Sequence, residues 1–341
     1  MTLGRSGGLT LAAVTLALTA CTSAVTAAPG PAGLADVTVA AVPSADSAGL
    51  FIALYDGLFA RQGLRVRFVP AVSSETVINE QALNLPARAP VEISCGNYVS
   101  YIQAQQAWDE GRRPGAGRPP AVAADLDLFA EGSVMAPSVQ GLYVLPGSPV
   151  RSLAALQGGT IGVNAPGNIL YLLAASALTE HGVPVSRVRF RYIPLPAMAA
   201  ALRAGRVSAA VLPEPFGTAA GESLGVVLVA DLDQGAMTSF PVQGCAATRQ
   251  WAAAHPGTLA AFRRAFEAGQ RIADTSRPAV EAAMERLPAP LGVSKVTAAM
   301  MALPVYPVGP VDQVRIQRVA DVMRQFLGFP PFTVGPMLAG T

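Results

Sequence analysis

Along most of this chain, short apolar runs alternate with polar or Gly/Pro turns and with stretches at helical spacing. That is the rhythm of strand, loop and helix in an α/β fold. Asp36–Val42 predicts a first strand and Pro43–Ser47 a turn with a helix cap. Gly49–Gln62 predicts a helix striped by Leu50, Phe51, Leu54 and Leu58 and ended by Gly63. Leu64–Val69 alternates apolar with charged residues, a strand with one face toward a core. Ser73–Thr76 caps the next helix, with Glu75 or Glu80 in its first turns. Val91–Cys95 is a third strand, and Gly96-Asn97-Tyr98 leads into a helix holding Tyr101 to Trp108.

Val122–Phe129 and Gln140–Leu145 are strand candidates around a crossing between two halves. The plan then repeats in Thr160–Ala174. Ile161–Val163 is a buried-type strand, Asn164–Asn168 a turn cluster, and Ile169 onward a helix closed by His181-Gly182. Such a unit aims free backbone N–H groups and the positive end of a helix dipole beyond the strand. Taken alone it is equally an ordinary βα turn. Val188–Ile193, Val207–Leu212 and Gly225–Ala230 continue as strands, with a short helix Met198–Ala204 ended by Gly205. Pro213–Phe216 breaks the second of these strands, and Pro241–Thr248 returns to the first half. From Arg249 the reading is helical and shows no catalytic signature. Leu259, Phe262 and Phe266 stripe one helix; Val319, Val322, Met323 and Phe326 stripe the last.

Composition narrows the class. A chain of 341 residues exceeds one average domain, which predicts two lobes. With 51% apolar and 13% charged residues, large cores are within reach and disorder is excluded. A net charge of +2 is too small for a nucleic-acid footprint, so Gly111–Pro120, rich in Arg, Pro and Gly, reads as a solvated loop.

The first residues have the proportions of an export signal: Arg5, an apolar core Leu9–Leu18, then Leu18-Thr19-Ala20-Cys21. The closing tetrapeptide resembles a bacterial lipobox, which would make Cys21 a lipidated N-terminus. The alternative is a plain secretory signal cut near Ala27-Ala28. Residues 22–35 are small and uncharged and read as a tether. Setting Cys21 aside leaves Cys95 and Cys245, an even pair in an oxidising compartment or two separate buried thiols.

No HExxH, CxxC, GxSxG or phosphate-loop motif occurs. The two histidines, His181 and His255, both sit at helix ends and read as surface residues. No metal site and no cofactor are expected.

The segments LFIALYDGLFARQGLRVRFV (50–69), VEISCGNYVSYI (91–102), GLYVLPGSPV through EHGV (141–183), MAAALRAGRVSAAVLPEPF (198–216) and FPVQGCAATRQWAAAHPGTLAAF (240–262) resemble the substrate-binding lipoproteins of ABC importers. The resemblance is to the nitrate/sulfonate/taurine and thiamine-precursor type, over most of the mature chain. It implies a two-lobed type II periplasmic-binding-protein fold with a ligand cleft between the lobes. Residues 1–21 would be the lipoprotein signal and 22–35 the tether. Residues 36–140 and 240–341 would form one lobe and 141–239 the other. It further implies a monomer that is extracytoplasmic and anchored by lipid, whose partners are a small molecule, a permease and its ATPase. The return strand would lie beside the third strand, putting Cys245 next to Cys95 as a disulfide.

Carried onto this chain, the loops after the strands give the cleft. They are Ser44, Asp46 and Ser47; Ser73, Ser74 and Glu75; Asn97 and Tyr98; Asn164, Gly167, Asn168 and Tyr171; and Glu214 and Phe216. Ser44, Ser73 and Asn164 read equally as helix caps, and Tyr98, Tyr171 and Phe216 as packing. These loops hold Asp46, Glu75 and Glu214 but neither Arg nor Lys. That favours an aminated or heterocyclic ligand such as a pyrimidine, with sulfonates close behind. Two alternatives stand beside transport: a sensor lipoprotein for a membrane receptor, and an enzyme like the pyrimidine-forming members of the wider superfamily. The latter use their own histidine and a cysteine-rich iron site, and this chain has no cysteine cluster.

Overall fold

A computed structural model describes residues 33–74, 76, 78, 90–112, 123–289 and 291–338. The leader with Cys21, most of the tether, Glu75 and most of the 111–120 loop lie outside the described residues. No described helix is long and apolar enough to cross a membrane.

Ten described strands form two five-stranded sheets. The first sheet comprises β1 (Ala35–Ala41), β2 (Leu64–Pro70), β3 (Ile93–Asn97), β4 (Leu126–Val134) and β10 (Pro241–Thr248), in the order β2-β1-β3-β10-β4. The second holds β5 (Gln140–Val144), β6 (Thr160–Val163), β7 (Arg189–Tyr192), β8 (Ala209–Pro213) and β9 (Val227–Asp231), in the order β7-β6-β8-β5-β9. Each sheet has three parallel strands: β2, β1 and β3 in one, β7, β6 and β8 in the other. Beside them runs an antiparallel strand that has just crossed from the other half, β10 or β5. The chain passes between sheets twice, from Val134 to Gln140 and from Asp231 to Pro241. The two passages are tied together, Met135 N–H donating to Phe240 O at 2.8 Å and Leu232 N–H to Gln140 O at 3.0 Å.

Several elements differ from the sequence reading for local reasons. The helix expected over 49–62 is broken into Ala48–Tyr55 and Leu58–Arg61, because Gly57 takes a left-handed φ of 70° between them. The strand expected at 122–129 runs instead over Leu126–Val134. Its second half buries Glu131 and Ser133, polar positions that hide it from a hydrophobic pattern. The helix expected from Met198 starts at Leu195, since Pro196 suits a first helical turn.

On one face of the first sheet, Phe59, Phe129 and Phe262 pack with ring centroids 4.7 and 5.9 Å apart around Phe262. The helix Pro256–Thr275 crosses Ala48–Tyr55 at glycines. A Cβ on Gly269 would come within 2.1 Å of Gly49 O, so only glycine permits this approach. Cys95 and Cys245 sit opposite each other on β3 and β10, Cα atoms 4.1 Å apart, and are joined by a disulfide. The last helix, Gln313–Leu327, packs on both Tyr98–Gly111 and Ile169–Glu180, so it spans the two halves.

Candidate ligand cleft

Parallel strands end at the same side of their sheet, so the loops that follow them converge. Here the loops from the two sheets meet. Ser44, Asp46, Ser74, Asn97 and Asn164 line one small chamber of about 40 Å³ with Gln140 and Gln243 and with the apolar Val42, Ile169, Leu170, Leu195, Pro213 and Val242. A larger chamber of about 390 Å³ shares Val42 and Leu195 with it and is lined by Pro43, Pro70, Pro196, Phe216 and Leu291, among others. No Lys, Arg or His lines either chamber among the described residues.

The first-sheet side of the small chamber is braced by its own hydrogen bonds. Ser74 Oγ accepts from Asn97 N–H and from the Asn97 amide, each at 2.9 Å. Asn97 in turn caps the helix Tyr98–Gly111, its Oδ1 accepting from Ser100 N–H at 2.8 Å. Gln243 donates to Asp46 O at 2.8 Å and to Ser47 Oγ at 3.0 Å, tying the return strand to the first loop. The Asp46 carboxylate accepts from Ser133 Oγ at 2.8 Å and Ser44 Oγ at 3.3 Å. Burial pushes its pKa up to about 6, against the lowering effect of those hydroxyls.

On the second-sheet side, Asn168 caps the helix Ile169–Glu180 with its Oδ1 on Tyr171 N–H at 3.2 Å, and its amide donates to Asn164 Oδ1. Gly167 holds a left-handed φ of 64° in this loop. Its carbonyl accepts from the Gln103 amide of the opposite half at 2.8 Å. Ala45 N–H donates to Glu214 O at 2.9 Å, a second contact between the halves.

The structure separates the expected site residues into groups. Ser44, Asp46, Ser74, Asn97 and Asn164 share the small chamber, and Phe216 lines the larger one. Ser73 caps, accepting from Thr76 N–H at 3.3 Å, whereas Ser44 makes no cap bond. Ser47, Gly167 and Asn168 stand behind the lining as supports. Tyr98 lies in the core, 1% exposed, where burial raises its pKa well above normal. Tyr171 packs on Phe190 with ring centroids 4.5 Å apart and planes tilted by 57°, and it lines neither chamber. The Glu214 carboxylate turns onto Thr218, accepting from its hydroxyl at 2.8 Å and its N–H at 3.2 Å, and burial raises its pKa. Glu75 lies outside the described residues.

Sequence reasoning missed Gln140, Gln243, Leu195 and Pro196. The last two follow β7, one more strand end of the kind used for the other loops. The two glutamines sit on strands adjoining the crossings, where no loop signal marks them.

The chain matches the model of the NMT1-like family over residues 30–287. No curated protein matches the sequence. In structure it is similar to the alkanesulfonate-binding protein SsuA from Xanthomonas axonopodis pv. citri bound to MOPS, at 15% identity over 90% of this chain and 99% of that one, TM-score 0.69. It is similar to the periplasmic nitrate-binding protein NrtA from Synechocystis PCC 6803, at 13% identity over 89% and 84%, TM-score 0.71. DSZB, a desulfurization enzyme, is similar in its complex with biphenyl-2-sulfinic acid, at 16% identity over 89% and 96%, TM-score 0.62. These likenesses give the chain a periplasmic-binding-protein fold, one that serves both binding proteins and an enzyme. With three quarters of its length under the family model, this chain belongs to the NMT1-like family.

Proposed function

We propose that this protein is the extracytoplasmic solute-binding component of an ABC importer, held at the membrane by a lipid on Cys21. It captures a small molecule in the cleft and hands it to a permease with its ATPase. The observation that carries this reading is the meeting of loops from two sheets around one cavity, with only two chain passages between the sheets. In this reading 36–140 and 240–341 form one lobe and 141–239 the other, and closure is a hinge motion at the passages. Ser138 and Ser239, one in each passage, are the only non-glycine residues with left-handed backbone among those described, at φ 65° and 50°. Strain placed at both passages supports a hinge there.

The ligand belongs to the small sulfonate, nitrate or pyrimidine kinds, held by Ser44, Asp46, Ser74, Asn97 and Asn164 with Phe216 at the rim. The protein binds and does not transform it. The test is the melting temperature of the full-length protein against nitrate, taurine, alkanesulfonates, pyrimidines and thiamine. At a hundred times its dissociation constant a ligand adds about 2.7 kcal/mol, a rise of roughly 5 °C. A saturable rise with one class supports the reading. Absence of any rise, together with failure to copurify with a permease, refutes it.

A further inference from the structure

Strand β7 and the elements beside it carry arginines with almost no carboxylate among them. Between Arg151 and Pro213 the chain has six arginines and a single acidic residue, Glu180. The Glu180 carboxylate is occupied, accepting from Ser176 Oγ and from Ala236 N–H, each at 3.1 Å. Arg187, Arg189, Arg191, Arg203 and Arg206 are all exposed, and none enters an ion pair among the described residues.

These arginines converge on one corner. Arg189 and Arg191 stand opposite Thr160 and Gly162 of β6, on the face where a Cβ on Gly162 would meet Met198 of the helix Leu195–Arg203. That helix ends at Arg203, and Ser208, two residues past Arg206, donates its N–H to Thr160 O at 2.8 Å. The whole-chain charge of +2 hides this corner, because carboxylates elsewhere offset it.

β7 is an edge strand of its sheet, as β2 is of the other. The two share a flank, since Pro70, Ala71 and Val72 after β2 line the larger chamber together with Leu195 and Pro196 after β7. Their sequences alternate alike, Leu64-Arg65-Val66-Arg67-Phe68-Val69 and Val188-Arg189-Phe190-Arg191-Tyr192-Ile193. On β2 the charge is partly spent. Arg65 pairs with Asp36 at 3.2 Å, and Arg67 donates at 3.1 Å to Thr38 Oγ1, whose own N–H binds Glu92. The chain also enters the body beside β2: Ala35 pairs with Leu64, and its N–H donates to Gly63 O at 2.9 Å. From Cys21 to Leu34 the chain can reach about 45 Å at most.

We propose that this flank docks on an anionic phospholipid surface, with the β7 arginines against the headgroups. Unpaired guanidinium groups attract phosphate. Resting on the lipid anchor of the solute-binding reading, the tether starts beside β2 and keeps the flank within reach of the bilayer. Docking holds the tethered body in one orientation.

The experiment is cosedimentation of the full-length chain carrying Cys21→Ser, which has no lipid of its own. The vesicles are phosphatidylcholine alone, or phosphatidylcholine with roughly a third phosphatidylglycerol. Every variant shares the leader with its Arg5, so differences between variants read the flank. Partition to the anionic vesicles should exceed that to the neutral ones about tenfold or more at low salt, and fall steeply as salt is added. Arg189→Gln with Arg191→Gln should lower it about tenfold, and Arg203→Gln with Arg206→Gln by a similar factor. Arg271→Gln with Arg324→Gln removes the same charge from exposed positions on two helices of the other half and should leave it unchanged. Equal partition to both vesicles overturns the proposal, as does an equal loss in the Arg271 and Arg324 variant. So does a chain that ignores anionic vesicles yet binds polyglutamate through Arg189 and Arg191, for the flank then serves an acidic protein segment. None of these outcomes touches the solute-binding reading, which the melting panel decides, because no solute is present.

Discussion

The two halves repeat one strand plan but are built to different strengths. The half around the first sheet is cross-braced: a disulfide joins β3 to β10, and every ion pair among the described residues joins positions within 36–131 and 249–315. Glu131, 4% exposed, accepts from Arg315 at 3.0 Å and from Asp312 N–H at 2.6 Å, pinning the last helix to β4. The half around the second sheet has side-chain hydrogen bonds such as Glu214 with Thr218 but neither ion pair nor disulfide among its described residues, and it leaves open edges at Tyr192 on β7 and Val227 and Leu228 on β9. The polar wall of the cleft comes mostly from the braced half and the apolar wall largely from strand ends of both. A braced set of hydrogen-bonding groups therefore faces a half held by fewer cross-links, which is the asymmetry the hinge proposal rests on.

The comparison breaks most sharply at the disulfide. Reduction, or Cys245→Ser, should lower stability by about 4 kcal/mol, since the bridge closes a loop of 150 residues in the unfolded chain. Urea unfolding with and without reductant measures this. A loss below about 1 kcal/mol would mean that the braced half does not depend on its bridge.

Arg315→Met should cost about 3 kcal/mol, because it leaves the Glu131 carboxylate buried without its cation. In a two-step unfolding curve the loss should fall on the transition of the braced half.

Asp46 gives a pH signature of the same half. Its folded pKa, raised from 3.8 to about 6, lies above the unfolded value, so the folded state holds its proton more tightly. This group's contribution is then most favourable below about pH 4 and is lost as pH rises through about 6, by about 2–3 kcal/mol in all. The slope runs opposite to that of a salt-bridged carboxylate. Tyr306, whose hydroxyl donates to Ala45 O at 2.9 Å, and Ser133 and Ser44 are the groups around it. Asp46→Asn should flatten stability between pH 4 and 6, as chemical denaturation across that range will show.

Between the halves the effects should be smaller. Gln103→Leu removes the bond to Gly167 O and should weaken ligand binding about fivefold, near 1 kcal/mol, with little change in the stability of the ligand-free protein. Ser138→Gly and Ser239→Gly relieve left-handed backbone and should each raise stability by up to about 1 kcal/mol. If they instead lower it, the passages are not strained hinges.

Much of this was legible in the chain. The strand–loop–helix units at 36–62 and 160–174 were marked by apolar runs and turn residues, which are local signals. The loops they predict do reach one cavity, as Ser44, Asp46 and Asn164 show. Tyr98 and Tyr171 do not line it because a side chain in the first turn of a helix that follows a strand can point either to the cleft or into the core, and spacing does not encode which. Gln140 and Gln243 were invisible for the complementary reason. They look like ordinary strand residues until two sheets close over them.

The sequence by itself determined the elements, the class of fold and the absence of basic side chains from the presumed cleft loops, because these follow from local pattern and composition. Only the tertiary structure decided which polar groups share a chamber, which are already spent on one another, and which, like Gln140 Oε1, are left without a partner. Hydrogen-bond satisfaction depends on residues far apart in the chain meeting within about 3 Å, and no one-dimensional pattern carries that information.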